Sequence, residues 1–195
     1  MKESLLYKII RPLINIYVKL IIRPKYIGLD NIPKKEKIIL AGTHTSMNDS
    51  ILLISSTKRP VHFLAKKELW KFPQGLLFSH LGLIPVDRKN KDTKCLSIAE
   101  DYLNDNKLVL IFPEGTIEKE HGKLLPFKVG ALKLANDTNT KIVPFAIKGK
   151  YYKKGLTIRF GKPIEISKDL DKEKERLINI IEDLRKWLYE NALAI

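Results

Sequence analysis

Cysteine, acidic residues and any long uncharged apolar run are what this sequence has least of, and each shortage removes a class of answer. A single cysteine, Cys95, cannot form an internal disulfide. No disulfide framework therefore holds the fold, and a reducing compartment suits the chain. Cys95 falls in "DTKCLSIAEDYL", an amphipathic helix pattern in which a thiol packs as a small inert group. Acidic residues number 22 against 36 basic ones, a formal net charge of +14. That excess favours an anionic partner: nucleic acid, an anionic lipid surface or a phosphorylated substrate. The apolar opening "MKESLLYKIIRPLINIYVKLIIRP" is interrupted by Lys8, Arg11 and Lys19, where the centre of a spanning helix of about 20 apolar residues would be. It has no small-residue cleavage site after a clean apolar core, so a signal peptide is not expected. No Gly-x-Ser-x-Gly elbow supplies a serine nucleophile, and there is no internal repeat, low-complexity tract or inner linker.

What is present describes one globular domain, with 44% hydrophobic and 30% charged residues in 195. Within residues 1–25, Lys2, Lys8, Arg11, Lys19, Arg23 and Lys25 oppose only Glu3, and Pro12 is expected to break or kink the helix. Apolar, basic and not spanning, residues 1–28 read as amphipathic helices lying on an anionic membrane. The alternative is an ordinary packed helix whose charges face water. Beyond them, strand patterns at 37–42, 61–66, 83–88, 108–115 and 141–149 alternate with helix patterns at 49–57, 92–104 and 130–138. A short helix around 69–82 is broken by Pro73 and Gly75. Residues 156–166 are strand-like and fold back on the sheet. Residues 168–191 form a helix whose Leu177, Ile181, Leu184 and Leu188 face the core. Alternation of this kind predicts an α/β fold over 29–195, with a mostly parallel central sheet flanked by helices.

In such sheets functional groups collect beyond the carboxyl ends of the strands. The strand at 37–42 ends in "LAGTHTSMNDS", placing His44 and Asp49 just past its end with four residues between them. A histidine can serve as general base near neutral pH when a second group orients it. On a regular helix the two would lie about 140° apart. They meet only if His44 precedes the helix and Asp49 stands in its first turn. The plain alternative is a loop histidine beside an N-cap aspartate. Without a protein nucleophile, the base would act on a substrate hydroxyl, with no covalent enzyme intermediate. After the most apolar strand, "FPEGT" offers Glu114 as acceptor, Gly115 for close backbone approach and Thr116 as donor, or else a simple solvated turn. Arg88, after "LIPVD", suits a phosphate, or is a surface arginine. Lys66 and Lys67 add charge at the same edge.

These residues resemble the glycerolipid acyltransferase family, its lysophosphatidate acyltransferase group. His44 and Asp49 match the family's first block, a His and an Asp with four residues between them. Gly82-Leu-Ile84-Pro-Val-Asp-Arg88 is similar to the second, Phe112–Thr116 to the third, and Ile142-Val-Pro144-Phe145 to the proline-bearing fourth. Order and spacing agree over roughly 35–150.

The resemblance implies acyl transfer from acyl-CoA or acyl carrier protein to the sn-2 hydroxyl of 1-acylglycerol 3-phosphate, giving phosphatidate. His44 would be the base and Asp49 its orienting partner. Arg88 and Lys66 would hold the phosphate, Glu114, Gly115 and Thr116 the glycerol, and Pro144 would shape the wall near the acyl chain. No metal or bound cofactor is implied beyond the thioester co-substrate. The expected setting is the cytoplasmic face of the cell membrane, as a peripheral or monotopic protein on anionic lipid. One departure stands out: Ile117 follows Thr116 where the family often has Arg. Either Lys119, Lys123 or Lys128 supplies that charge, or the acceptor's headgroup is not a simple phosphate monoester. Acyl transfer to another lysolipid or to glycerol 3-phosphate is the runner-up reading. An inactive membrane scaffold is a rival reading. A nucleic-acid partner, suggested by charge alone, has no recognised motif behind it.

Overall fold

The strand β2 (Ile38–Gly42) is buried along its whole length and lies in the middle of a seven-stranded sheet. Its continuous apolar run suits a sheet covered on both faces. Ile38 and Leu40 point into one layer of core, Ile39 and Ala41 into the other. The computed structural model describes residues 5–71, 73–87, 94–118, 123–153 and 155–191. The strands β3 (Val61–Lys66), β4 (Ile84–Val86), β5 (Leu108–Ile111) and β6 (Ile142–Lys148) run parallel to β2. β1 (Lys25–Ile27) and β7 (Thr157–Phe160) run the opposite way. The spatial order is β1-β7-β6-β2-β5-β3-β4, so loops leaving β2, β5 and β6 emerge side by side.

One face of the sheet is covered by α1 (Leu5–Tyr17) and α2 (Asp49–Ser56), packed on Leu40, Leu110 and Phe145. The other is covered by α4 (Lys94–Asn104), α5 (Gly130–Asp137) and α6 (Leu170–Glu190). The short α3 (Gln74–His80) leads into β4. α6 begins under a side-chain cap, Lys172 N donating to Asp169 Oδ1 at 3.2 Å. Its Leu177, Ile181, Leu184 and Leu188 are buried, as the spacing predicts.

Four local expectations come out differently. α1 runs through Pro12 to Tyr17 and continues as a π-helical turn, Val18–Ile22, closed by Arg23 in the left-handed region (φ 53°). Proline removes one hydrogen bond here, to the carbonyl of Lys8, and that residue is exposed, so water can take the carbonyl. Docking holds the rest: the Arg11 guanidinium donates twice to Thr57 O, at 3.1 and 2.6 Å, and Tyr7 Oη accepts from Val61 N at 3.0 Å. Pro73 stands immediately before α3 rather than inside it. The strand at 108 stops at Ile111, because Phe112–Gly115 closes a turn with Gly115 N donating to Phe112 O at 2.9 Å. The sheet also begins earlier than residue 29: β1 pairs in register with β7 from Lys25.

Candidate active site

Gly42 ends β2 hard against β6. A Cβ there would lie 2.1 Å from Phe145 O, so only glycine lets the chain leave the sheet at this point. The next residues turn sharply, and Asp49 opens α2. His44 therefore precedes the helix and Asp49 occupies its first turn, the one arrangement in which they can meet. His44 Nδ1 lies 2.9 Å from Asp49 Oδ2. Asp49 is fully buried and its Oδ2 also accepts from Thr45 N at 2.6 Å and Ser46 N at 2.9 Å. A carboxylate oxygen that takes two backbone N–H groups is committed as an acceptor. The proton between it and the imidazole then sits on Nδ1, leaving Nε2 with a free lone pair.

The imidazole is fixed in a second way. It stacks on Phe112 with centroids 3.9 Å apart and planes at 12°, and Phe112 meets Phe145 edge-on at 6.1 Å. The ring keeps 14% of its surface open. Among the described residues no hydroxyl or thiol hydrogen-bonds to Nε2. Cys95 is buried in α4.

The loop after β5 clamps the histidine from the other side. His44 N donates to Glu114 Oε1 at 3.1 Å, and Glu118 N donates to His44 O at 2.8 Å. Glu114 Oε2 accepts from Leu125 N at 3.0 Å. Both Glu114 oxygens thus tie loops together. Burial raises its pKa, while the two N–H groups work against that rise. Gly115 has φ +67°, and the ammonium of Lys128 lies 2.8 Å from where a Cβ on Gly115 would stand. Thr116 is exposed, and Ile117 half-buried. Beside this cluster, on the α6 side, opens a cleft of about 210 Å³ walled by Glu114, Lys123, Lys148, Lys150 and Arg185.

Of the other sequence candidates, Lys66 ends β3 and is exposed. Pro144 sits within β6 opposite Ala41, its ring 2.9 Å from where a Cβ on Gly161 would stand. Arg88 and Lys119 lie outside the described residues.

Two parts of the arrangement escape a reading of the chain. Phe112 is visible as part of a block, but its stacking on His44 is not. Tyr151 is missed altogether: its hydroxyl donates to Asp49 Oδ1. The available signal was its place just past the end of β6, where the strand-end rule already directs attention.

A family model described as Acyltransferase matches residues 23–148. A protein of Borreliella burgdorferi named 1-acyl-sn-glycerol-3-phosphate acyltransferase is 31% identical over 173 residues, spanning 80% of this chain and 67% of its own. A Bacillus subtilis protein of the same name is 29% identical over 175 residues, spanning 85% and 86%. The crystal structure of the 1-acyl-sn-glycerophosphate (LPA) acyltransferase PlsC from Thermotoga maritima matches with a TM-score of 0.72 at 25% identity, over 92% of this chain and 81% of that one.

Proposed function

The chain belongs to the acyltransferase family, and on that premise we propose that it moves a fatty acyl group from a thioester to the sn-2 hydroxyl of 1-acylglycerol 3-phosphate, giving phosphatidate. The observation that carries the reading is the His44–Asp49 pair at the end of β2, with Nε2 open and, among the described residues, no protein nucleophile beside it. His44 Nε2 takes the proton of the acceptor hydroxyl as its oxygen attacks the thioester carbonyl. The imidazolium that forms is stabilised by Asp49. Collapse of the tetrahedral intermediate expels the thiolate, which takes the proton back from Nε2. Ester and free thiol are the products, and no acyl-enzyme forms.

Arg88 and Lys66 are proposed for the acceptor's phosphate. Lys128, with its ammonium beside Gly115, stands in for the arginine that Ile117 replaces. The cationic wall of the neighbouring cleft supports an anionic substrate. Gly115 and Thr116 border the place proposed for the glycerol, and Pro144 acts through the packing of β6. Acyl-CoA and acyl carrier protein are both proposed as donors.

The proposed location is the cytoplasmic face of a membrane, with α1 lying on anionic lipid. Leu5, Ile9, Leu13 and Ile16 of α1, with Leu20 and Ile21 of the turn that continues it, are exposed, while Tyr7, Val18 and Ile22 are buried beneath. No helix among the described residues is long and apolar enough to cross a membrane. An apolar stripe flanked by lysines fits an interfacial helix.

The test is acyl transfer to lysophosphatidate in liposomes, with both thioesters, comparing the wild-type protein with His44→Ala. Phosphatidate from the wild type, reduced at least about 1,000-fold in a folded His44→Ala variant, is expected. Equal rates from both proteins would remove His44 as the base. No product from the wild type with either donor would point to a different acceptor.

A further inference from the structure

Residues 149–153, between β6 and β7, hold two adjacent tyrosines that lie beyond the stretch matched by the family model. The loop is bent to place them. Gly149 has φ +108°, and Tyr152, a bulky residue, is held at φ +62°. A non-glycine residue persists there only when its surroundings hold it. The surroundings are specific: Tyr152 Oη lies 3.2 Å from Asn48 Nδ2, which donates to it, and 2.9 Å from Tyr17 Oη at the end of α1. Asn48 is the residue before Asp49. Its neighbour Tyr151 turns inward, half-buried, and donates to Asp49 Oδ1, the oxygen not used by His44.

The geometry points to Tyr151 as a positioning residue for acyl transfer: its hydroxyl fixes Asp49 and draws charge from it, with Tyr152 bracing the same turn through Asn48 and Tyr17. Two consequences separate this from mere packing. A hydroxyl on Oδ1 leaves less negative charge facing His44 through Oδ2. Without it, Asp49 stabilises the imidazolium more, so more of the enzyme is in the protonated, inactive form at a given pH. The groups facing this cluster are Glu114 and Glu118 from the loop after β5, Tyr26 from β1, and Tyr152. Lys123, Lys148 and Lys150 wall the adjoining cleft. Tyr26 stays neutral in the working range, burial having pushed its pKa up to about 12. Burial, reinforced by the charge on Asp49, also keeps Tyr151 protonated as a donor.

The inference rests on the reading of His44 as general base, so the experiment carries one arm that needs no turnover. Two full-length variants are compared with the wild type on liposomes: Tyr151→Phe, which removes the donor, and Tyr151 replaced by 3-fluorotyrosine, which keeps its shape and makes it a stronger donor. The acidic limb of kcat/KM is expected to move to higher pH by about half a unit or more in Tyr151→Phe, and to lower pH with fluorotyrosine. Turnover in Tyr151→Phe should fall about 10-fold with the acceptor KM unchanged. The turnover-free arm is the proton resonance of His44 Nδ1–H, expected to move in opposite directions in the two variants. Tyr152→Phe should leave the limb in place. Shifts of opposite sign support the assignment. An unmoved limb with an unmoved resonance overturns it, including where Tyr151→Phe lowers only the melting temperature, because that outcome is packing alone. If the wild type transfers no acyl group, the functional reading fails while the resonance still decides the role of Tyr151.

Discussion

α1 and α6 cover opposite faces of one sheet, and they do it on different terms. α6 buries Leu177, Ile181, Leu184 and Leu188 on one side and presents charge on the other, as a surface helix does. α1 buries Tyr7 and is followed by the buried Val18 and Ile22, yet it carries a second apolar stripe on its outer side. The inner stripe, with Arg11 donating to Thr57 O, is enough to dock it on α2. The outer stripe contributes nothing to the fold in water. An apolar surface in surplus of what folding uses marks an intended contact. The two helices thus separate what the sheet needs from what the surroundings need.

The comparison predicts effects that can be read one helix at a time. The largest belongs to the α6 face. Ile181 is fully buried, and Ile181→Ala should cost about 4 kcal/mol in denaturant unfolding while leaving liposome association of the folded protein unchanged. The next concerns His62, on the same face, stacked on Tyr102 of α4 at 3.8 Å. Burial lowers its pKa to about 4. The unfolded chain takes up that proton near pH 6.5 and the folded one only near 4, so stability falls as pH drops through this window, on the order of 3 kcal/mol in full. Unfolding midpoints of His62→Phe, measured from pH 7 to 4, should flatten by that amount. The smallest effect on stability belongs to α1. Leu13→Glu combined with Leu20→Glu should leave the melting temperature within about 2 °C, while weakening association with anionic liposomes about 100-fold in flotation assays. Loss of stability there instead would mean that the outer stripe is covered by protein.

Much of this was legible in the chain because the informative features are local. The α6 stripe and the buried runs of β2 and β5 show their periods within a few turns. His44 and Asp49 are separated by the four residues that a turn into a helix requires. What the chain hid is set by partners far along it. β1 is three residues, Lys25–Ile27, too short to show alternation, and it is a strand only because β7 lies beside it. Pro12 reads as a helix breaker because the sequence does not reveal that α2 holds the helix on either side of it. Tyr151 becomes readable only once β6 is known to lie next to β2.

The pairing of β1 with β7 has a consequence in time. A ribosome delivers α1 before His44 and Asp49, yet β2 then waits for β5 and β6 before it has neighbours on both sides. Tyr151 follows, and Thr157–Phe160 alone gives β1 its place. No growing chain that stops before Tyr151 holds the dyad with its brace. The apolar outer side of α1 exists throughout that interval, so the segment suited to lipid is complete long before the segment suited to chemistry. Contacts this distant in sequence also make for slow assembly of the sheet. If α1 lies on lipid as proposed, a chain made in this order would reach the bilayer before its dyad is assembled.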